Sequence, residues 1–299
     1  MTNKFLDRLT SKGILVSDGA AGTNLQNLGL NAGVTPEAWV MEQPQKIIEL
    51  EKAFVEAGSD IILTCTFGGT SLRLKDSLYH DQVTELNTRA VELARKAALN
   101  HPDVIIAGSM GPVGGLLKPF GPLSIEEVTD SYTEQASALI KAGVDLIVIE
   151  TQFSLDEAKS ALTAVNSIGN LPVVVSFSFD RGLRTMMGVK PIQVIDTFIP
   201  LGVAAIGANC GTTFENMEAI IKEYSSVASG IPIWAKPNAG MPELNNKGET
   251  VFNVEPVEAG EAACRNIQAG ASIVGGCCGN TPEHIFEISR RVEELILKG

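Results

Sequence analysis

Five cysteines occur in the 299 residues, and two are adjacent: Cys277 and Cys278, within Gly275-Gly276-Cys277-Cys278-Gly279. A lone cysteine is most often a small buried hydrophobe. Two in succession between glycines differ, because the glycines let the chain turn until both sulfurs can face one centre. A third, Cys210, follows Asn209 in Gly207-Ala208-Asn209-Cys210-Gly211. Three thiolates suit zinc, a borderline-soft ion, and leave its fourth tetrahedral position open for a substrate. A dithiol redox site is the chemical alternative. It is the weaker one, since a vicinal disulfide is strained and no C-x-x-C occurs. Cys65 is a further thiol, in Thr64-Cys65-Thr66, while Cys264 falls inside a helical stretch and reads as structural.

Asp18 and Glu150 are the carboxylates that end apolar runs. Each alone reads as a cap or a loop hydrogen bond. Together across one rim they can grip an ammonium. The amides of Gly19, Ala20 and Ala21 can take a carboxylate, as small-residue turns do. The pairing suits an amino acid. A glycosidase acid and nucleophile is the other reading of two carboxylates, and their separation decides it. Lys236 ends another run; it reads as a rim or solvent-facing lysine, with a Schiff-base role as the alternative. His80 and His101 are placed on the second helix and in the turn after it, and His284 in the last helix. Each reads as a surface or capping residue, so Ser-His-Asp chemistry is disfavoured.

These residues need a scaffold, and the chain supplies one by repetition. Short apolar, β-branched runs recur at Ile14–Asp18, Asp60–Cys65, Val104–Gly108, Asp145–Glu150, Val173–Phe179, Val203–Ala208, Pro232–Lys236 and Ser272–Gly276. Helical spacing fills 44–57, 82–99, 124–142, 154–166, 191–200, 213–228, 255–269 and 281–297. Ser124 with Glu127 three residues on forms a capping box, and Thr281-Pro282 puts proline at a first helical position. Alternating strands and helices imply a parallel α/β sheet buried on both faces. Eight units can close into a barrel; a doubly wound open sheet is the rival, though no G-x-G-x-x-G follows the first strand. In either fold the active site forms at the carboxyl ends of the strands. There fall Asp18, Cys65, Glu150, Asn209, Cys210, Lys236, Cys277 and Cys278.

A single α/β barrel needs about 250 residues, so residues 1–299 are expected to form one domain. The net charge of −12 argues against nucleic acid as a partner. No apolar run approaches the roughly 18 residues of a membrane span. The segment MTNKFLDRLTSKG lacks an apolar signal core, so the expected compartment is the cytoplasm. No oligomeric state is expected from the sequence.

Asp18-Gly19-Ala20-Ala21-Gly22-Thr23, Gly207-Ala208-Asn209-Cys210 and Gly275-Gly276-Cys277-Cys278-Gly279 together resemble the homocysteine S-methyltransferase family. Thr64-Cys65-Thr66-Phe67-Gly68-Gly69, Pro237-Asn238-Ala239-Gly240 and Thr281-Pro282-Glu283-His284-Ile285 resemble its methionine-synthase side. The likeness runs from about residue 12 to 295. It implies a (β/α)8 TIM barrel in which Cys210, Cys277 and Cys278 hold zinc and the homocysteine sulfur completes the tetrahedron. It implies substrate contacts at Asp18, Gly19, Ala20, Ala21, Glu150 and Asn209, with the zinc-activated substrate thiol as the nucleophile and no separate catalytic side chain. Cys65 departs from the family, where many relatives carry Asn. The implied donor is methylcobalamin, free or on a partner corrinoid protein, since Asp-x-His-x-x-G is missing from the chain. Betaine-type or S-methylmethionine donors are the alternative; their charge would call for aromatic contacts such as Trp39 or Phe67. A non-catalytic zinc-binding barrel is the remaining one.

Overall fold

The structure, a computed structural model, describes residues 3–31, 33–180, 182–211, 213–227, 230–245 and 250–297. Eight parallel strands build the core sheet: β1 (Leu15–Val16), β2 (Ile61–Leu63), β3 (Ile105–Met110), β4 (Leu146–Gln152), β5 (Val173–Phe177), β6 (Ala205–Asn209), β7 (Ile233–Lys236) and, after a small hairpin of β8 (Glu243–Leu244) and β9 (Thr250–Val251), β10 (Ile273–Val274). Their order is β1-β10-β7-β6-β5-β4-β3-β2. A parallel bridge between Ser17 and Ile61 joins the two ends, with Asp60 N donating to Val16 O at 2.7 Å and Asp18 N to Ile61 O at 3.0 Å. The ring closes as a (β/α)8 barrel, and the open-sheet alternative is excluded.

Successive side chains on a strand point to opposite faces, and the packing separates accordingly. Leu15, Ile61, Ile105, Ala107, Leu146, Val148, Val174, Ala205, Trp234 and Ile273 pack together as the barrel interior. Their neighbours Val16, Ile62, Ile106, Ile147, Ile149, Val175, Ile206, Ala235 and Val274 pack outward with the helices. Trp234 is the bulkiest interior side chain, and Gly207 opposite it in register makes room. A Cβ at Gly207 would collide with the Trp234 carbonyl oxygen and Cβ.

The helices are α1 (Lys4–Lys12), α2 (Ala21–Asn27), α3 (Ala38–Glu42), α4 (Pro44–Glu56), α5 (Ser71–Leu74), α6 (Val83–Ala97), α7 (Ile125–Ala142), α8 (Leu155–Ile168), α9 (Pro191–Phe198), α10 (Phe214–Val227), α11 (Pro256–Gln268) and α12 (Pro282–Ile296). Eight of them fall on the expected segments; the expected end at residue 228 lies outside the described residues. α7 carries the Ser124–Glu127 capping box and closes on Gly143 in the left-handed region. His80 lies ahead of α6 rather than on it, exposed beside Asp81. Among the described residues, no helix is long and apolar enough to cross a membrane.

α1 adds to the repeat. Its Phe5 packs with the interior set. Lys4 Nζ donates to Val104 O at 2.6 Å, and Arg8 and Lys12 pair with Asp60 at 3.0 and 2.6 Å. These partners precede β2 and β3, so α1 plugs the amino end of the barrel and the carboxyl end is left for chemistry.

Candidate active site at the carboxyl rim

Cys210 follows β6, and Cys277 and Cys278 follow β10. Their sulfurs lie within 4.8 Å of one another, with Cys210 Sγ and Cys278 Sγ 4.0 Å apart. The strands alone do not aim them. Cys210 takes a φ of +57°, as Thr151 after Glu150 takes +58°, conformations that cost a non-glycine residue of order 1–3 kcal/mol. Asn209 ties the two turns together. Its Oδ1 accepts from Thr151 N at 2.9 Å and Ser176 Oγ at 2.6 Å, and its Nδ2 donates to Thr151 Oγ1 at 2.7 Å. On the other side, Cys277 N donates to Pro237 O at 2.8 Å and Gly276 N to Asp18 O at 3.1 Å. The Asn280 side chain packs so closely on Gly276 that a Cβ there would overlap it.

Asp18 and Glu150 are buried beside the sulfurs, at 3% and 7% exposure. Asp18 Oδ2 accepts from Leu63 N at 2.7 Å, and Oδ1 from Lys236 Nζ at 2.6 Å and Ser17 Oγ at 3.2 Å. Glu150 Oε1 accepts from Ser109 Oγ at 2.5 Å, while Oε2 has only a long contact of 3.4 Å from Asn209 Nδ2. Burial pushes the Glu150 carboxyl up to about 7, with Lys236 opposing and the sulfur of Cys277 assisting. Burial raises Asp18 too, against the pull of Lys236. The three thiols divide their protons unequally. Hydrogen bonds from Cys277 and Cys278 hold Cys210 down to about 3, and the bond to Cys210 drives Cys277 up to about 12 and Cys278 upward as well.

Asp18, Gly19, Ala20, Ala21, Glu150, Cys210, Cys277 and Cys278 line one cavity of about 250 Å³, below the roughly 300–1,000 Å³ of drug-sized pockets. Ala20 N already donates to Asn280 O at 3.4 Å, and Ala21 opens α2. Asn209 is fully buried behind the cavity with its amide engaged, and it meets the site through Nδ2, 3.4 Å from Glu150 Oε2 and 3.9 Å from Cys277 Sγ. Above lies a wider mouth of about 980 Å³, mostly apolar, bordered by Leu116, Phe153, Met186, Met241 and Phe252. Phe67 and Arg73 border both spaces.

Lys236 and Glu37 were not read from the sequence as buried parts of this site. Lys236 is buried, not solvent-facing: 3% exposed, paired with Asp18, its pKa raised by Asp18 and Glu150 against the effect of burial. A protonated, ion-paired ammonium is a poor Schiff-base nucleophile. Its signal was two-residue spacing from Trp234, which puts both on the interior face. Glu37 also lines the cavity, its Oε1 accepting from Gly68 N at 2.5 Å; nothing in its sequence neighbourhood marked it. Cys65 lines the cavity but stands apart from the three converging sulfurs, and burial pushes its thiol well up. Trp39 is buried under Lys46, whose Nζ sits 4.4 Å from its ring centroid. His284 is the capping residue expected, although buried: it closes the capping box of α12, where Thr281 N donates to its Nδ1 at 3.2 Å.

A closed (β/α)8 barrel with converging thiols and buried carboxylates on its carboxyl rim has the layout of a barrel enzyme, whose chemistry sits at that end of the strands. The sequence comparison is more particular. A model of the homocysteine S-methyltransferase family matches residues 15–292, and the chain belongs to that family of methyltransferases. It is 33% identical over 295 residues to methionine synthase from Mycobacterium leprae (strain TN), covering 93% of this chain and 24% of that protein. It is 32% identical over 306 residues to methionine synthase from Mycobacterium tuberculosis (strain ATCC 25618 / H37Rv), covering 97% and 25%. The chain thus spans about a quarter of the curated relatives it matches. Among solved structures, the homocysteine methyltransferase MmuM from Escherichia coli shares the fold. Its metallated form gives a TM-score of 0.82 at 24% identity over 97% of this chain and 100% of that one; its oxidised form gives 0.81 at 25% over the same shares.

Proposed function

We propose that this chain binds homocysteine as its thiolate at a zinc ion held by Cys210, Cys277 and Cys278, and passes a methyl group to that sulfur to give methionine. The carrying observation is the convergence of three sulfurs beside the Asp18–Glu150 cavity. The donor set fits the metal. A tetrahedron with Zn–S of about 2.3 Å sets neighbouring sulfurs about 3.8 Å apart, and Cys210 and Cys278 stand at 4.0 Å. Zinc, when bound, keeps a coordinated thiol deprotonated at neutral pH.

The remaining work belongs to the chain. Three anionic sulfurs make the centre electron-rich, which favours alkylation of the substrate sulfur over activation of water. Glu150, with its Oε2 lightly engaged, takes the substrate ammonium, and Asp18 flanks it. Amides of the Gly19–Ala21 turn lie near the carboxylate. Asn209 acts as a positioning residue, fixing the turns that carry Glu150 and Cys210. The sulfur–methyl bond forms as the donor–methyl bond breaks in line, the donor keeping the electron pair of the broken bond, and the product sulfur is a neutral thioether.

Methylcobalamin, free or on a partner corrinoid protein, is the donor that the wide apolar mouth and the methionine-synthase likeness support. Phe67, Phe153 and Phe252 at the mouth favour a cationic betaine-type or S-methylmethionine donor as the second reading. The test is zinc analysis with sulfur–zinc X-ray absorption, with and without homocysteine, followed by a donor screen. One zinc per chain, gaining a sulfur on addition of homocysteine, is expected. Cys277→Ala should lose both zinc and turnover. A metal-free Cys277→Ala protein with full activity would overturn the assignment.

A further inference from the structure

Lys236 is the buried cation of the cavity. It ends β7 two residues beyond Trp234, on the inward face, and lines the same 250 Å³ space as Glu150 and the thiols. An ammonium has three N–H donors. Lys236 Nζ uses one, to Asp18 Oδ1 at 2.6 Å. The Trp234 ring also lies near, with its centroid 5.6 Å away, and a ring face spends no directed acceptor; Glu150 and Cys277 act on the ammonium by charge. Among the described residues, the other two donors of this buried ammonium, 3% exposed and lining the cavity, have no hydrogen-bond partner. Leaving buried charged donors unmade is unfavourable unless a ligand completes them.

The neighbouring charges say which ligand. Asp18 and Glu150 alone would receive an amine and repel any anion. Lys236 offsets one of them, and Asp18, with both oxygens engaged, is largely spoken for by that pair. Glu150 remains as the counter-charge for an ammonium, and Lys236 offers its spare donors to an anion. Arg73, the other cation lining the cavity, is exposed at its outer edge. It lies over Gly114 and Gly68 and faces Glu37. Ala20 N, an amide otherwise suited to an anion, is directed at Asn280 O.

We infer that Lys236 is a direct contact for the substrate's α-carboxylate, so that the cavity is built for a zwitterionic amino-acid thiol rather than for an amino thiol. The inference rests on the homocysteine reading above.

The experiment measures calorimetric binding to zinc-loaded protein of homocysteine and of 3-mercaptopropylamine, which is homocysteine without its carboxylate. In the wild type, homocysteine should bind more tightly. Lys236→Met should weaken homocysteine roughly 10- to 100-fold, the size of one charge-assisted hydrogen bond. It should leave 3-mercaptopropylamine unchanged or tighter, because Asp18 is then uncompensated. Lys236→Gln keeps a donor to Asp18 while removing the charge, and gives the same comparison if the Met variant does not fold. Equal losses for both thiols, or no loss for either, would overturn the carboxylate contact while the homocysteine reading stands. Wild-type protein that holds zinc yet binds neither thiol would overturn both.

Discussion

Glu150 shows the conflict between binding and stability at a single side chain. Burial holds its carboxyl near 7 against an ordinary value of 4.5. The folded chain therefore binds this proton more tightly than the unfolded chain does. Stability is highest below about 4.5, falls as pH rises through about 7, and levels off above. A shift of this size corresponds to about 3 kcal/mol. Glu150→Gln keeps the bond from Ser109 Oγ and removes the buried charge. Thermal melts of the zinc-free variant should match wild type near pH 4.5 and exceed it at pH 8. Its homocysteine affinity should move the other way and fall at pH 8. Equal melting temperatures at both pH values would mean that the carboxyl titrates normally. The cysteines at this scale were readable because adjacent thiols between glycines are rare chemistry. Lys236 was not, because a lysine at the end of an apolar run carries no mark of being buried; only its register with Trp234 does so.

Between elements, fit is set by close approaches that a pattern of polar and apolar letters does not record. α4, α6, α7, α8, α9, α10, α11 and α12 were legible because each buries one stripe and most carry a cap or proline at the start. α1 and α2 were not. α1 buries little beyond Phe5. α2, Ala-Gly-Thr-Asn-Leu-Gln-Asn, is only seven residues long and more than half Gly, Thr and Asn, which are weak helix formers, and Asn24 Nδ2 pins it by donating to Ala20 O at 2.7 Å and Asn280 O at 2.9 Å. β1 and β10 extend for only two residues each, where runs of five were expected, since the chain leaves the ladder early to form the rim loops. The tightest approach is Gly207 against Trp234. Gly207→Ala should destabilise by about 3 kcal/mol or more, because overpacking here meets backbone. Gly169→Ala, where the added Cβ finds only Ile140 Cγ2 at 3.8 Å, should change little. Denaturant midpoints of the two variants check the contrast; similar midpoints would contradict the packing described.

Eight repeating units could be counted from the sequence, but not the closure, because periodicity does not record which strands pair. The whole molecule then presents one functional face, with an inner acid-lined cavity and an outer apolar mouth whose Met186 and Met241 are 75% and 46% exposed. If a protein-carried corrinoid delivers the methyl group there, Met186→Glu combined with Met241→Glu should slow that delivery at least tenfold in single-turnover assays, while homocysteine affinity holds. Equal rates for variant and wild type would put the docking surface elsewhere. The closure has another consequence. The barrel is a hoop, and its clasp is the short seam between β1 and β2. Asp18 is part of that clasp, since its carboxylate takes the Leu63 amide where a strand carbonyl would otherwise stand. The residue that holds Lys236 at the cavity is thus also a rivet in the hoop, and a truncated side chain at position 18 should loosen the frame and free that lysine in one stroke.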